Sequence, residues 1–154
     1  MERTFVILKP DAVSRGILGK VTSRLEEKGL KLAGCKMMQL TDAILDTHYS
    51  HLKDKPFFAG IKQFMKSTPV LAMVWEGKDA VKVVRQLCGV TNSREALPGT
   101  IRGDFGLSIQ CNIIHASDSL ETAAREFPMY FSDDELFSYD RVTDSVIYSS
   151  DEKK

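Results

Sequence analysis

Short apolar runs of strand length, set between segments whose apolar residues recur at helical spacing, are what most constrain this chain. Thr4 to Leu8 and Val70 to Trp75 read as buried strands, and Leu30 to Leu40 as a less regular one. Gln110 to His115 reads as a fourth. Between them, Gly19 to Lys28 reads as a helix with Val21 and Leu25 on one face and Gly29 as its stop. Thr41 is placed to cap a helix running to about Leu52. Phe58, Ile61 and Met65 repeat at helical spacing after the break at Pro56. Asp79 to Cys88 returns to helix, and Gly89 to Gly99 reads as loop. Asp118 with Glu121, and Ser132 with Glu135, have capping-box spacing ahead of two further helices. Strands separated by helices, with neither repeat nor linker, point to an α+β or α/β sandwich. The length of 154 residues suits one core. SSDEKK at the end reads as a solvated tail.

Charge narrows the partners. Lysine plus arginine (21) balances aspartate plus glutamate (21), so the molecule as a whole offers no attractive field to nucleic acid or to acidic lipid. Any anion site must be a local cluster. No apolar run has the roughly 20 residues of a membrane span, and MERTFVILKPD lacks the features of a signal peptide. Cys35, Cys88 and Cys111 match no zinc or CxxC spacing and read as reduced core thiols.

Several motifs fail on inspection. Gly16 to Lys20 resembles half a P-loop, but Ser14 stands where the first glycine belongs and Val21 where a Mg²⁺-holding hydroxyl belongs. His48 and His51 lie three apart on a helix without a third ligand at usable spacing, and read as surface histidines. Arg102-Gly103-Asp104 spells an adhesion tripeptide, a match common by chance.

Arg85, Thr91, Asn92 and Arg102 instead gather cations and hydroxyls at element ends, as a polyphosphate needs. Taken alone, that group fits a salt-bridged surface equally well. Asn112 to Asp118 runs an apolar strand into His115 and then into polar residues at a strand-to-helix turn. A histidine there sits where α/β ligands bind, although a core histidine with a satisfied hydrogen bond is the commoner case.

Taken together these segments resemble the nucleoside diphosphate kinase family. The match runs from Glu2 to Tyr148 through Lys9-Pro10-Asp11, Lys55-Pro56-Phe57-Phe58, Met73 to Gly77, Pro98 to Asp104 and Asn112 to Ser119. The resemblance implies one domain over residues 1–148, a flexible tail over 149–154, and a ferredoxin-like four-stranded antiparallel sheet covered by helices. It implies a cytoplasmic homo-oligomer, a hexamer more than a tetramer, with Mg²⁺ as cofactor and nucleoside triphosphates and diphosphates as substrates. No nucleic acid or membrane partner is required.

Residue by residue, His115 matches the phosphate-accepting histidine of a ping-pong cycle. A neutral imidazole is a competent nucleophile near pH 7. Glu126 and Ser117 match the groups that orient it. Lys9, Arg85, Thr91 and Arg102 match phosphate ligands, and Lys9 with Asn112 the contacts to the sugar hydroxyls. Phe57 matches the aromatic on which the base stacks, with Ile109 on the other face, which implies broad base specificity. Tyr49 matches a tyrosine beside the histidine and lysine. Asp118 matches a residue near a Mg²⁺ held mainly by the nucleotide phosphates. Ala12 and Ala116 stand where glycine is usual, and the Ala116 carbonyl is expected to fix the second nitrogen of His115. Two other classes fit part of the pattern: a binding module without chemistry, which the charge balance and single tryptophan do not favour, and a regulatory scaffold of the same family.

Overall fold

A computed structural model describes residues 1–152. Its centre is β1 (Glu2–Leu8), whose side chains alternate across the sheet so that Phe5 and Ile7 enter one core while Val6 and Leu8 enter the other. Both faces are covered, so the strand reads as one apolar run rather than as an alternating pattern. The chain continues through α1 (Pro10–Ser14), α2 (Leu18–Glu27), β2 (Lys31–Met38), α3 (Asp42–His48) and α4 (Phe58–Met65). It then forms β3 (Val70–Gly77), α5 (Ala80–Cys88), α6 (Ile101–Phe105), β4 (Ile114–Ala116), α7 (Leu120–Tyr130) and α8 (Asp144–Ile147). The strands pair antiparallel in the order β2-β3-β1-β4, an α+β, ferredoxin-like sheet.

One core packs Val21, Leu25, Trp75, Val84 and Ile101 beneath α2, α5 and α6. The other packs Leu45, Met65, Tyr130 and Phe131 beneath α3, α4 and α7. Removing a side chain the size of Leu25 or Leu45 from such a site costs about 2–5 kcal/mol. Thr41 caps α3 as its sequence suggests, its hydroxyl accepting from the Ile44 amide at 3.3 Å.

Several local expectations are corrected. The fourth strand covers Ile114–Ala116, not Gln110 to His115. The Asp11 carboxylate accepts from the Ile113 amide at 3.0 Å, the Lys9 amide donates to the Ile113 carbonyl at 2.9 Å, and Ile113 is held at φ 74°. A β-branched residue in the left-handed region costs on the order of 1–3 kcal/mol and survives only where its surroundings fix it. Here full burial and the two backbone bonds do so. The cap of α7 is Ser119, accepting from the Thr122 amide, rather than Asp118. The Ser132–Glu135 capping box is present but opens only a single 3₁₀ turn. Helix α3 ends at His48, and a 3₁₀ turn covers Ser50–Leu52. Helices α1, α6 and α8 had no reading in the sequence.

Cys35 is exposed, as is Cys111; Cys88 alone of the three lies in the core. Of the terminal tail, residues 149–152 form a turn in which the Glu152 amide donates to the Ser149 carbonyl, and residues 153 and 154 lie outside the described residues. Among the described residues no helix is long and apolar enough to cross a membrane.

Candidate active site

His115 lies at the middle of β4, paired with Ile7 in the antiparallel ladder, so the central sheet fixes its backbone. Helix α7 presents Ala123, Glu126 and Tyr130 on its buried face, spaced three and four apart. That spacing places the Glu126 carboxylate against the ring: both of its oxygens lie 3.2 Å from His115 Nε2. Ser117, fully buried one step beyond β4, donates its hydroxyl to Glu126 Oε2 at 2.5 Å. Burial pushes the Glu126 carboxyl up, but the hydrogen bonds and charge of His115 and the Ser117 bond outweigh it and hold the group below its ordinary value. An ionised carboxylate only accepts, so in the neutral ring Nε2 carries the proton and Nδ1 keeps the lone pair.

The Ala116 carbonyl therefore does not supply the second partner of His115; Glu126 does. Ala116 itself has no left-handed backbone angle and pairs with Val6 in the ladder, so the absence of glycine strains nothing.

His48 is a second correction. It is buried, not a surface group; only His51 of that pair is exposed. The His48 ring packs edge-on to that of His115 with centroids 4.7 Å apart. Its Nδ1 is 2.9 Å from the Tyr130 hydroxyl and its Nε2 is 3.5 Å from Glu126 Oε1. Burial, helped by the neighbouring His115, lowers its pKa to about 3, so the ring is neutral at physiological pH. Sequence reasoning missed His48, Tyr130 and Asp11. The signal for His48 was its place three residues after Leu45, on the apolar face of α3.

The cations line the same cavity, of about 230 Å³, which Lys9, Tyr49, Arg85, Thr91, Arg102, Asn112, His115, Asp118 and Glu126 all help to enclose. Lys9 Nζ donates to Asn112 Oδ1 at 2.6 Å, and Asn112 Nδ2 in turn donates to the Thr91 and Ile109 carbonyls. Burial, then the charge of Arg102, lowers the Lys9 pKa to about 8.

Arg102 is buried, and its guanidinium donates to the carbonyls of Gly89 (2.8 Å), Asn112 (3.4 Å) and Ile114 (2.6 Å). Three of its five N–H donors are thus committed to the backbone, and two remain for an anion. Asp104, one residue beyond Gly103, accepts from the Gly99 amide and from Arg24, so the adhesion tripeptide is tied into the fold. Arg85 and Thr91 are exposed at the rim.

An adjoining, apolar cavity of about 470 Å³ is lined by Tyr49, Phe57, Ile61, Phe64, Ile109 and, at its boundary with the first, Lys9, Thr91 and Asn112. Phe57 is 51% and Ile109 59% exposed, unusual for side chains this large unless something covers them. Every residue to which the family resemblance gives a role therefore borders one or both cavities or, as Ser117 does, bonds to a residue that lines one, whereas Asn92 lines neither and spends its side chain on Glu95 and the Arg94 amide.

Asp118 is an exposed carboxylate whose hydrogen bond to Thr122 holds it below its ordinary pKa. A lone anionic oxygen donor on a cavity rim fits a hard cation that keeps its water and its phosphate ligands, as Mg²⁺ does, rather than one enclosed by protein. Among the described residues the single close group of three candidate ligands is His48, His115 and Glu126, which is rich in imidazole and unsuited to Mg²⁺.

Residues 2–136 match the family model described as nucleoside diphosphate kinase. The chain is 55% identical over 152 residues to a nucleoside diphosphate kinase of Parabacteroides distasonis, covering 99% of each. It is 51% identical over 148 residues to one from Archaeoglobus fulgidus, covering 96% of this chain and 98% of that one. The solved structure of a halophilic nucleoside diphosphate kinase from Halobacterium salinarum in complex with CDP superposes with a TM-score of 0.94 at 48% identity, covering 96% and 99% of the two chains.

Proposed function

The chain belongs to the nucleoside diphosphate kinase family, a family of phosphotransferases, and from that premise we propose that it transfers a γ-phosphoryl group between nucleotides through a phosphohistidine at His115. The observation that carries this reading is the pairing of His115 Nε2 with the Glu126 carboxylate, which leaves Nδ1 as the nucleophile. Nδ1 attacks the γ-phosphorus of a bound triphosphate. The N–P bond forms as the bond to the bridging oxygen breaks, and the diphosphate leaves with that electron pair. The ring gains positive charge in this step, and the Glu126 carboxylate offsets it. A second nucleoside diphosphate then attacks the phosphorus, and the electron pair of the N–P bond returns to Nδ1.

The donors around the cavity suit the rest of the nucleotide. Lys9, Arg85, Thr91 and the two free donors of Arg102 hold phosphate oxygens, in a site where charge counts for more than it does in water. Lys9 and Asn112 also meet the sugar hydroxyls. Phe57 and Ile109 sandwich the base, and Tyr49 closes the wall between the two cavities. Asp118, on the cavity rim, would lie near a Mg²⁺ held mainly by the nucleotide phosphates, and such an ion would neutralise part of their charge. The CDP carried by the Halobacterium relative supports a nucleoside diphosphate in this cleft. Because both contacts to the base are apolar, all bases are accepted.

The enzyme acts in the cytoplasm and assembles as a homo-oligomer, with a hexamer favoured over a tetramer. The exposed side chains of Phe137, Val142 and Val146 support self-association. Neither a membrane nor a nucleic acid partner is needed. Residues 1–148 act as the catalytic domain, with a short polar tail beyond.

Initial-rate measurements with varied donor and acceptor test the reading. Parallel double-reciprocal lines are expected, with kcat/KM for ATP, GTP, CTP and UTP agreeing within about one to two orders of magnitude. Intersecting lines, or a thousandfold preference for one base, would refute it.

A further inference from the structure

The imidazole of His48 has no direct part in the transfer just described, yet it is buried against the acceptor and aimed at the same carboxylate. The ligand atoms of His48, His115 and Glu126 all lie within 4.8 Å of one another. Glu126 Oε1 sits between the rings, 3.5 Å from His48 Nε2 and 3.2 Å from His115 Nε2. An ion bound tetrahedrally at about 2.0–2.1 Å sets its ligand atoms about 3.3 Å apart along each edge. Two of the three edges are already near that length, and the third, at most 4.8 Å, must shorten as the ion binds.

The surroundings are those of a built site. The Tyr130 hydroxyl, 2.9 Å from His48 Nδ1, fixes that ring from behind. Ser117 holds Oε2, which leaves Oε1 for an ion. Both His48 and Glu126 belong to the floor of the 230 Å³ cavity, which opens to solvent through the exposed Arg85, Thr91 and Asp118 and so provides an entry path and a fourth position for water.

We propose that His48 Nε2, His115 Nε2 and Glu126 Oε1 form a site for a divalent transition-metal ion of the zinc class, and that an ion bound there switches off the phosphate acceptor. Two imidazoles and one carboxylate are a donor set such ions prefer, whereas Mg²⁺, with its preference for oxygen, passes them by. The burial that keeps His48 uncharged also keeps it ready to ligate. No proton is lost on binding. The ion takes the Nε2 lone pair of each ring, and the single proton of each ring moves to Nδ1, in His48 as a donor to the Tyr130 oxygen. In His115 that proton occupies the nitrogen that would attack phosphorus. The consequence for activity rests on the phosphohistidine reading; the binding itself does not.

The experiment uses the full chain with Cys35 and Cys111 replaced by Ser, since both thiols are exposed and would bind the same ions. With nucleotide absent, Zn²⁺ is titrated against a chromophoric chelator, and Co²⁺ is added in parallel to read its coordination from the visible spectrum. One equivalent per chain with a tetrahedral Co²⁺ band is expected. His48→Gln should abolish it, and Tyr130→Phe should weaken it by about 10–100-fold, the usual effect of losing a group that orients a ligand. Should His48→Gln not fold, His115→Asn at the more exposed ring carries the same test. An affinity unchanged in these ligand variants, or an octahedral Co²⁺ spectrum, overturns the proposal. In a second arm, Zn²⁺-loaded protein freed of excess metal is mixed with γ-labelled ATP in Mg²⁺. Label should be suppressed and then restored by chelator. Zinc that binds while labelling continues overturns the switch. Absence of label even in metal-free protein would count against the phosphohistidine reading, not against the site.

Discussion

The two cavities that meet at Lys9 and Asn112 are built in opposite ways. Around His115 the buried polar groups are tied to one another and to the backbone: the ring through Nε2 to Glu126, Glu126 to Ser117, Arg102 to three carbonyls, Asn112 to Lys9 and two carbonyls. Around Phe57 and Ile109 the walls are apolar and half open to solvent. The difference suits what the proposed reaction would ask of each end. Charge that develops on a phosphoryl group rewards donors fixed in advance, whose reorganisation costs nothing at the moment of reaction. A surface that accepts any base gains nothing from directed hydrogen bonds and would lose affinity wherever they went unmatched.

Breaking the rigid end should cost most. Arg102→Ala leaves three carbonyls without their donor at about 1–3 kcal/mol for each one that stays buried. It should lower the denaturant midpoint clearly, beyond any loss of nucleotide affinity, because the same side chain ties Gly89, Asn112 and Ile114 together. A variant as stable as the parent would show that these bonds are dispensable. Glu126→Ala keeps the acceptor but frees its ring. Turnover should fall by about 10²-fold or more, within the range for assisting groups, and full activity would mean that the carboxylate does not orient His115.

The open end should respond more mildly and without discrimination. Phe57→Ala is expected to raise KM for ATP, GTP, CTP and UTP alike, by the roughly 1–3 kcal/mol of one stacked base, with kcat little changed. A loss confined to one base would mean that the slot discriminates after all. The smallest effect lies at the boundary and depends on pH. The lowered pKa of Lys9, about 8, means that its charge is present below that pH and is lost above it. KM for the triphosphate should therefore be flat below about pH 8 and rise above it, by at most about tenfold per unit. Lys9→Arg, charged throughout, should remove the inflection, and an unaltered profile would shift the cause elsewhere.

The same contrast governs what the sequence disclosed. Residues that touch the ligand cavities could be named from motifs, because Lys9, Phe57, Arg102, Asn112 and His115 stand within short, recognisable segments. Strands β1 and β3 were legible because both faces are buried and the runs are continuously apolar. The support behind the site has no such segment: Glu126 and Ser117 were named only through the family resemblance, and neither His48 nor Tyr130 was assigned to the site. Glu126 reaches His115 across eleven residues through the periodicity of α7, and His48 reaches it from α3, so neither pairing leaves a local signature. The true start of β4 was hidden for a related reason: Asp11, 102 residues away, holds Ile113 in a conformation its own propensity opposes. Helix α6 was missed because its glycine masks a five-residue helix whose hold comes from Thr100 at its cap and Arg102 beneath it.

The proposed reaction requires a covalent phosphate at one nitrogen of His115. The direct measurement is brief incubation of the protein with γ-labelled ATP and Mg²⁺, followed by acid and alkali treatment and mapping of the labelled peptide. Label that survives alkali, is released by acid, maps to the segment Asn112 to Asp118 and is absent from folded His115→Asn is the predicted result. Label that resists acid, or that persists in His115→Asn, would contradict it.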